Sequence, residues 1–124
     1  MRFGYWHFAF LGQESQWAAE ASECAADQGA FWPYHDYLYG HQAGENRGGF
    51  SQEKLKQFAR ELGLDSQAFN ACLDSGKYTA LVREQTATGQ LLGMRGTPTF
   101  LVNGRLLAGA QPFEVFQRTI EAAR

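Results

Sequence analysis

Gly96-Thr97-Pro98-Thr99-Phe100-Leu101-Val102-Asn103-Gly104 is the stretch whose reading decides the fold. Thr99-Phe100-Leu101-Val102 is β-branched, aromatic and apolar, the composition of a strand. Asn103-Gly104 is the pair that a two-residue hairpin turn favours, because both central residues must adopt positive φ. Arg105-Leu106-Leu107-Ala108 is then the returning strand. Pro112 opens a final helix carrying Phe113, Val115, Phe116 and Ile120.

Upstream of this ββα ending the pattern is helical. Ser15 is expected to cap a helix over 16–27, with Trp17, Ala21 and Cys24 on one face. Gln28-Gly29 closes it, and Pro33 fits the first turn of a second helix carrying Trp32, Tyr34, Tyr37 and Leu38 to about His41. The linker-like stretch 43–49 is a loop rather than a domain boundary. Ser51 caps a third helix through Glu61, with Leu55, Phe58 and Leu62 as its apolar stripe and Gly63 as its stop. Asp65 caps a short fourth helix carrying Phe69, Cys72 and Leu73. A fifth spans about 77–92, with Tyr78, Leu81, Val82, Gln85, Gly89 and Leu92 along one side. At the other end of the chain, Phe3-Gly4-Tyr5-Trp6-His7-Phe8-Ala9-Phe10 is aromatic-rich, lacks polar alternation and reads as a strand covered on both faces. The order is therefore strand, five helices, hairpin, helix.

Composition bounds what such a chain does. At 124 residues it has the length of one domain, expected over 1–124, with 10 Phe, 5 Tyr and 3 Trp to fill a core. The net charge is −2 and the 11 Lys and Arg are scattered, which argues against a nucleic-acid partner. No stretch approaches the roughly 20 apolar residues of a membrane span. The N-terminus lacks the apolar region and cleavage site of a secretory signal, so the chain as written reads as cytoplasmic. The two cysteines, Cys24 and Cys72, form neither a Cys-x-x-Cys pair nor a zinc cluster. No metal site is expected from His7, His35 and His41, and no cofactor is implied.

The motif Gly96-Thr97-Pro98 followed by the hairpin and helix resembles the cis-proline loop and closing unit of thioredoxin-fold proteins. Phe10-Leu11-Gly12, Glu23-Cys24-Ala25, Phe31-Trp32 with His35-Asp36, Phe69-Asn70-Ala71-Cys72-Leu73 and Gly76-Lys77-Tyr78 are similar to the DsbA-like branch of thiol-disulfide oxidoreductases. The resemblance runs over essentially the whole chain. It implies an α/β, thioredoxin-like fold with a helical subdomain inserted at about 14–93 and a C-terminal ββα unit. It also implies a family of protein disulfide oxidoreductases and isomerases that is mostly extracytoplasmic. In that family a Cys-x-x-Cys lies at a helix N-terminus, on a strand–helix unit preceding the strand matched by 3–10. Such placement lowers the nucleophilic thiol's pKa, and the second cysteine resolves the mixed disulfide. These residues contain no Cys-x-x-Cys, so the expectation is a truncated relative without redox turnover of its own.

Gly96, Thr97 and Pro98 are the candidate substrate-groove residues, with a Thr97–Pro98 bond expected to be cis on the strength of the resemblance. The loop offers its backbone to an extended peptide, or it only shapes the turn into the strand. Cys24 and Cys72 form a structural disulfide or stay as two buried thiols; an even count in a family of oxidising compartments favours the bond. Asp65, Asp74 and Glu84 read as caps or solvated residues, and Trp17, Trp32 and Tyr34 as subdomain core. Three functions are open: an oxidoreductase fragment, a peptide-binding module using the cis-proline groove, and an oligomerising protein. A homodimer is expected, because loss of a central strand and its covering helix would expose residues 3–10 and the surface beside Pro98.

Overall fold

The computed structural model describes residues 1–124, in two compact units, Met1–Ala87 and Thr88–Arg124. The helices are α1 Gln13–Ala26, α2 Phe31–Gly40, α3 Gln52–Glu61, α4 Ser66–Asp74, α5 Thr79–Leu91 and α6 Phe113–Ala122. The strands are β1 Thr99–Val102 and β2 Arg105–Ala108. The boundary between the units falls within the last turns of α5.

In the first unit α1 packs against α2, α3 and α4. Ala21 and Ala25 let neighbouring helices approach α1 closely, and the space between them is filled by Tyr34, Leu55, Phe58, Phe69 and Leu73. Tyr34 is fully buried, and its hydroxyl donates to the Leu55 carbonyl at 2.8 Å. That bond satisfies a polar tip which would otherwise be costly inside the core. Ser51 and Asp65 accept hydrogen bonds from the Lys54 and Ala68 amides and so start α3 and α4. Two helices end on glycines that position the residues discussed below. Gly29 (φ 71°) follows α1, where Ala30 N donates back to Ala25 O and Gly29 N to Ala26 O. Gly76 (φ 67°) follows α4, with Lys77 N donating to Cys72 O and Gly76 N to Leu73 O. Both are Schellman-type endings, which need a left-handed residue that glycine supplies without steric cost.

Residues 3–10 do not form the expected strand. A ladder needs a neighbouring strand, and the only strands here pair with each other. The segment instead spends its donors on α5: His7 N donates to Gln85 Oε1 at 2.8 Å, and Ala9 N to Thr86 Oγ1 at 3.0 Å. Trp6 Nε1 adds a bond to the Gln85 carbonyl at 2.9 Å. Within the aromatic run, Phe3, Tyr5 and His7 pack their rings against α2, with Tyr5 edge-on at 5.2 Å from Phe31 and 5.3 Å from His35, while Phe8 and Phe10 pack on each other. Trp32 belongs to this half-open cluster and is 44% exposed, so it is not the core residue the sequence suggested. The start of α1 also differs. Gly12 occupies the cap position and Ser15 lies inside the first turn. Glu14, beside it, accepts from Gly48 N and Phe50 N, each at 2.8 Å, and so pins the loop before α3.

The second unit is the ββα ending. β1 and β2 are antiparallel, with Thr99 opposite Ala108 and Val102 opposite Arg105. Asn103 (φ 48°) and Gly104 (φ 84°) make the two-residue turn. Phe116 of α6 meets Phe100 edge-on at 4.7 Å, and Asn103 Nδ2 donates to Ala123 O at 2.9 Å, tying the turn to the helix end.

Candidate functional site

The second unit holds the proline loop. The Thr97–Pro98 peptide bond is cis. Thr99 Oγ1 donates to the Gly96 carbonyl at 2.6 Å, closing the turn before β1. Gly109 N donates to the Pro98 carbonyl at 2.8 Å, which extends the β1–β2 pairing by one step. Pro98 therefore has its acceptor occupied and carries no donor. Thr97 is exposed, and neither its backbone N–H nor its carbonyl has a partner in the chain. Chemically this is one free donor–acceptor pair at the end of a sheet edge, the geometry an extended peptide uses when it adds to a sheet. Gly96 is half-buried and serves the turn.

The first unit holds the cysteines. Cys24 on α1 and Cys72 on α4 are joined in a disulfide with a Cα–Cα distance of 5.8 Å, and no free cysteine remains. The two ends differ in surroundings. Cys24 is 1% exposed and Cys72 is half-buried, and both line a surface depression bordered by Ala68, Ala71 and Ser75.

Asp27, one turn beyond Cys24, accepts from Lys77 Nζ at 2.7 Å and from the Tyr78 hydroxyl. These donors, the Lys77 ammonium first, hold its carboxyl below the ordinary carboxylate range. The same bonds raise Lys77 and Tyr78 above theirs. A carboxylate at the C-terminal end of a helix meets the negative end of the helix dipole, and the two donors compensate for that placement. Lys77 also lies over the Tyr78 ring, 5.3 Å from its centre. The sequence pattern does not reveal this cluster, since Asp27 and Lys77 are 50 residues apart.

A second feature hidden from the sequence is His7. It is 4% exposed, and its Nε2 lies 2.8 Å from Glu23 Oε1 on α1. This pair and the Gln85 bond fix the segment 5–9 between two helices. Neither member had shown a pattern, because the contact depends on where an irregular segment runs. His35, by contrast, bonds only its neighbour Asp36, at 3.0 Å. Asp65 caps α4, and Asp74 pairs with Lys56 at 2.7 Å.

A family model described as thioredoxin matches residues 1–122. The chain belongs to the thioredoxin family. Among solved structures, this family member superimposes on a thioredoxin-like oxidoreductase from Silicibacter pomeroyi with a TM-score of 0.80. The two are 29% identical, and the match covers 96% of this chain and 66% of the other. The Na(+)/H(+) antiporter NhaA of Herminiimonas arsenicoxydans is 40% identical over 107 residues. That match covers 86% of this thioredoxin-family chain and 16% of the antiporter. The probable disulfide bond formation protein D of Bacillus anthracis is 30% identical over 104 residues, covering 81% of this chain and 48% of that protein. The chain thus spans about a sixth of the antiporters and about half of the disulfide bond formation protein that it matches. The latter relative agrees with the DsbA-like branch of the thioredoxin-like fold.

Proposed function

We propose that these residues form the helical and proline-loop portion of a DsbA-like thiol-disulfide oxidoreductase. Within the 124 residues the reading assigns binding of extended polypeptide at Thr97, and no dithiol turnover. The observation that carries it is the use of both cysteines in one disulfide, 48 residues apart and with one sulfur in the core. Exchange needs an accessible attacking thiolate and a nearby resolving thiol. Insulin reduction and scrambled-substrate refolding by the 124-residue chain should match the uncatalysed rates. Turnover abolished by Cys24→Ser would refute the reading.

A second reading, association of two copies, is favoured by the exposure of Phe3 (67%), Trp6 (53%) and Phe10 (39%) in one short segment. Light scattering at tens of micromolar should give about twice the 13.9 kDa chain mass. The monomer mass would rule it out.

A further inference from the structure

The two halves of the disulfide differ in exposure, Cys24 being almost fully buried and Cys72 half-buried. Thiol–disulfide exchange is a displacement in which an attacking thiolate reaches one sulfur while the other departs. Cys24 is 1% exposed and belongs to the buried cluster with Ala21, Ala25, Phe69 and Leu73, although it lines the same depression as Cys72. Cys72 lies half-open, with Asp27 Oδ2 3.8 Å from its Sγ. Lys77 Nζ binds that same carboxylate oxygen. The charge nearest the exposed sulfur is therefore negative, and the next is positive.

We infer that Cys72 Sγ is the point at which a small external thiol opens the Cys24–Cys72 disulfide, and that Asp27, offset by Lys77, sets the rate of entry. In the first step the external thiolate bonds to Cys72 Sγ and the Sγ–Sγ bond breaks. Its electron pair leaves on Cys24 Sγ, which takes a proton from solvent. The products are a mixed disulfide on Cys72 and a thiol on Cys24. A second external thiolate then attacks the external sulfur and releases Cys72 as a thiolate. The protein disulfide is reduced, and two external thiols are oxidised to their own disulfide.

The attacker is anionic, so Asp27 repels it and Lys77 attracts it. Asp27→Asn leaves the ammonium beside the sulfur without its counter-charge and should accelerate reduction about fivefold, the factor of one unit-charge contact at about 4 Å in water. Lys77→Met leaves the carboxylate bare and should slow it by about the same factor. Loosened packing alone would accelerate both variants, so the opposite signs separate charge control from destabilisation. Both effects should shrink in about 1 M salt, where the screening length falls to about 3 Å.

The experiment uses the oxidised full chain and reduced glutathione as the probe. Rates of disulfide loss are measured for wild type, Asp27→Asn and Lys77→Met. In wild type the reaction is quenched in acid, alkylated with excess N-ethylmaleimide in denaturant so that a buried Cys24 thiol also reacts, and mapped by peptide mass. Glutathione on Cys72 with maleimide on Cys24, together with opposite rate changes in the variants, is the expected result. Glutathione on Cys24, or variants that change in the same direction or not at all, would overturn the inference. The wild-type mapping stands even if a variant fails to fold. The inference is independent of the proposed function, which is read from turnover on other proteins rather than from opening of this bond.

Discussion

Reducing the Cys24–Cys72 bond without changing any side chain is the cleanest perturbation of the helical unit. The bridge closes a loop of 48 residues' separation between α1 and α4, the two helices that flank the core. In the chain-entropy treatment a loop of that length restricts the unfolded state by about 4 kcal/mol. A unit of this size shifts its melting temperature by roughly 4–8 °C per kcal/mol, so the reduced chain should melt at least about 15 °C below the oxidised one. The assay is thermal unfolding by circular dichroism, comparing oxidised protein with protein reduced in denaturant and refolded in reductant. Substituting Cys24 would disturb the packing at its buried end, and reduction avoids that cost. Melting points within about 3 °C of each other would refute the argument. They would mean that packing around Cys24 already restricts the chain as much as the bond does.

Other outcomes follow from single contacts. Tyr34→Phe removes a buried donor to the Leu55 carbonyl and should cost about 1 kcal/mol in urea unfolding; an unchanged midpoint would show that the bond contributes nothing net. Glu14→Ala frees the amides of Gly48 and Phe50, and trypsin should cut after Arg47 about tenfold faster, the factor for losing about 1.4 kcal/mol of local hydrogen bonding; unchanged cleavage would show that the loop is held elsewhere. Asp27 has a folded pKa below its unfolded value near 3.9, so its contribution is present above about pH 4 and fades as pH falls through the lower folded value. The fall in melting temperature between about pH 5 and pH 2 should therefore be steeper in wild type than in Asp27→Asn, and parallel slopes would sink that assignment.

What the sequence disclosed was local. Ser51 and Asp65 announce α3 and α4 because each cap acts on an amide three residues away, at Lys54 and Ala68. Asn103-Gly104 announces the hairpin because its backbone preference alone sets the turn. Residues 3–10 misled because aromatic residues suit strands and irregular segments lying on helices alike, and only the partner decides. That partner is α5, whose Gln85 and Thr86 lie more than 70 positions downstream. Trp32 misled for a related reason, since its bulk suited a core but its ring joined a surface cluster. The Asp27–Lys77–Tyr78 group was hidden because two glycine-terminated helix ends bring it together, although each glycine was visible as a stop.

The bonding of residues 7 and 9 to α5 has a consequence for how the N-terminal segment exchanges hydrogen with solvent. His7 and Ala9 donate to side chains, while the backbone amides of Phe8 and Phe10 have no partner in the chain. Deuterium should therefore enter in alternation along the segment, fast at positions 8 and 10 and slower at 7 and 9. This two-residue rhythm is the one usually credited to a strand, yet a helix imposes it here through two side chains. Exchange data alone would assign a strand to these residues, although none is there.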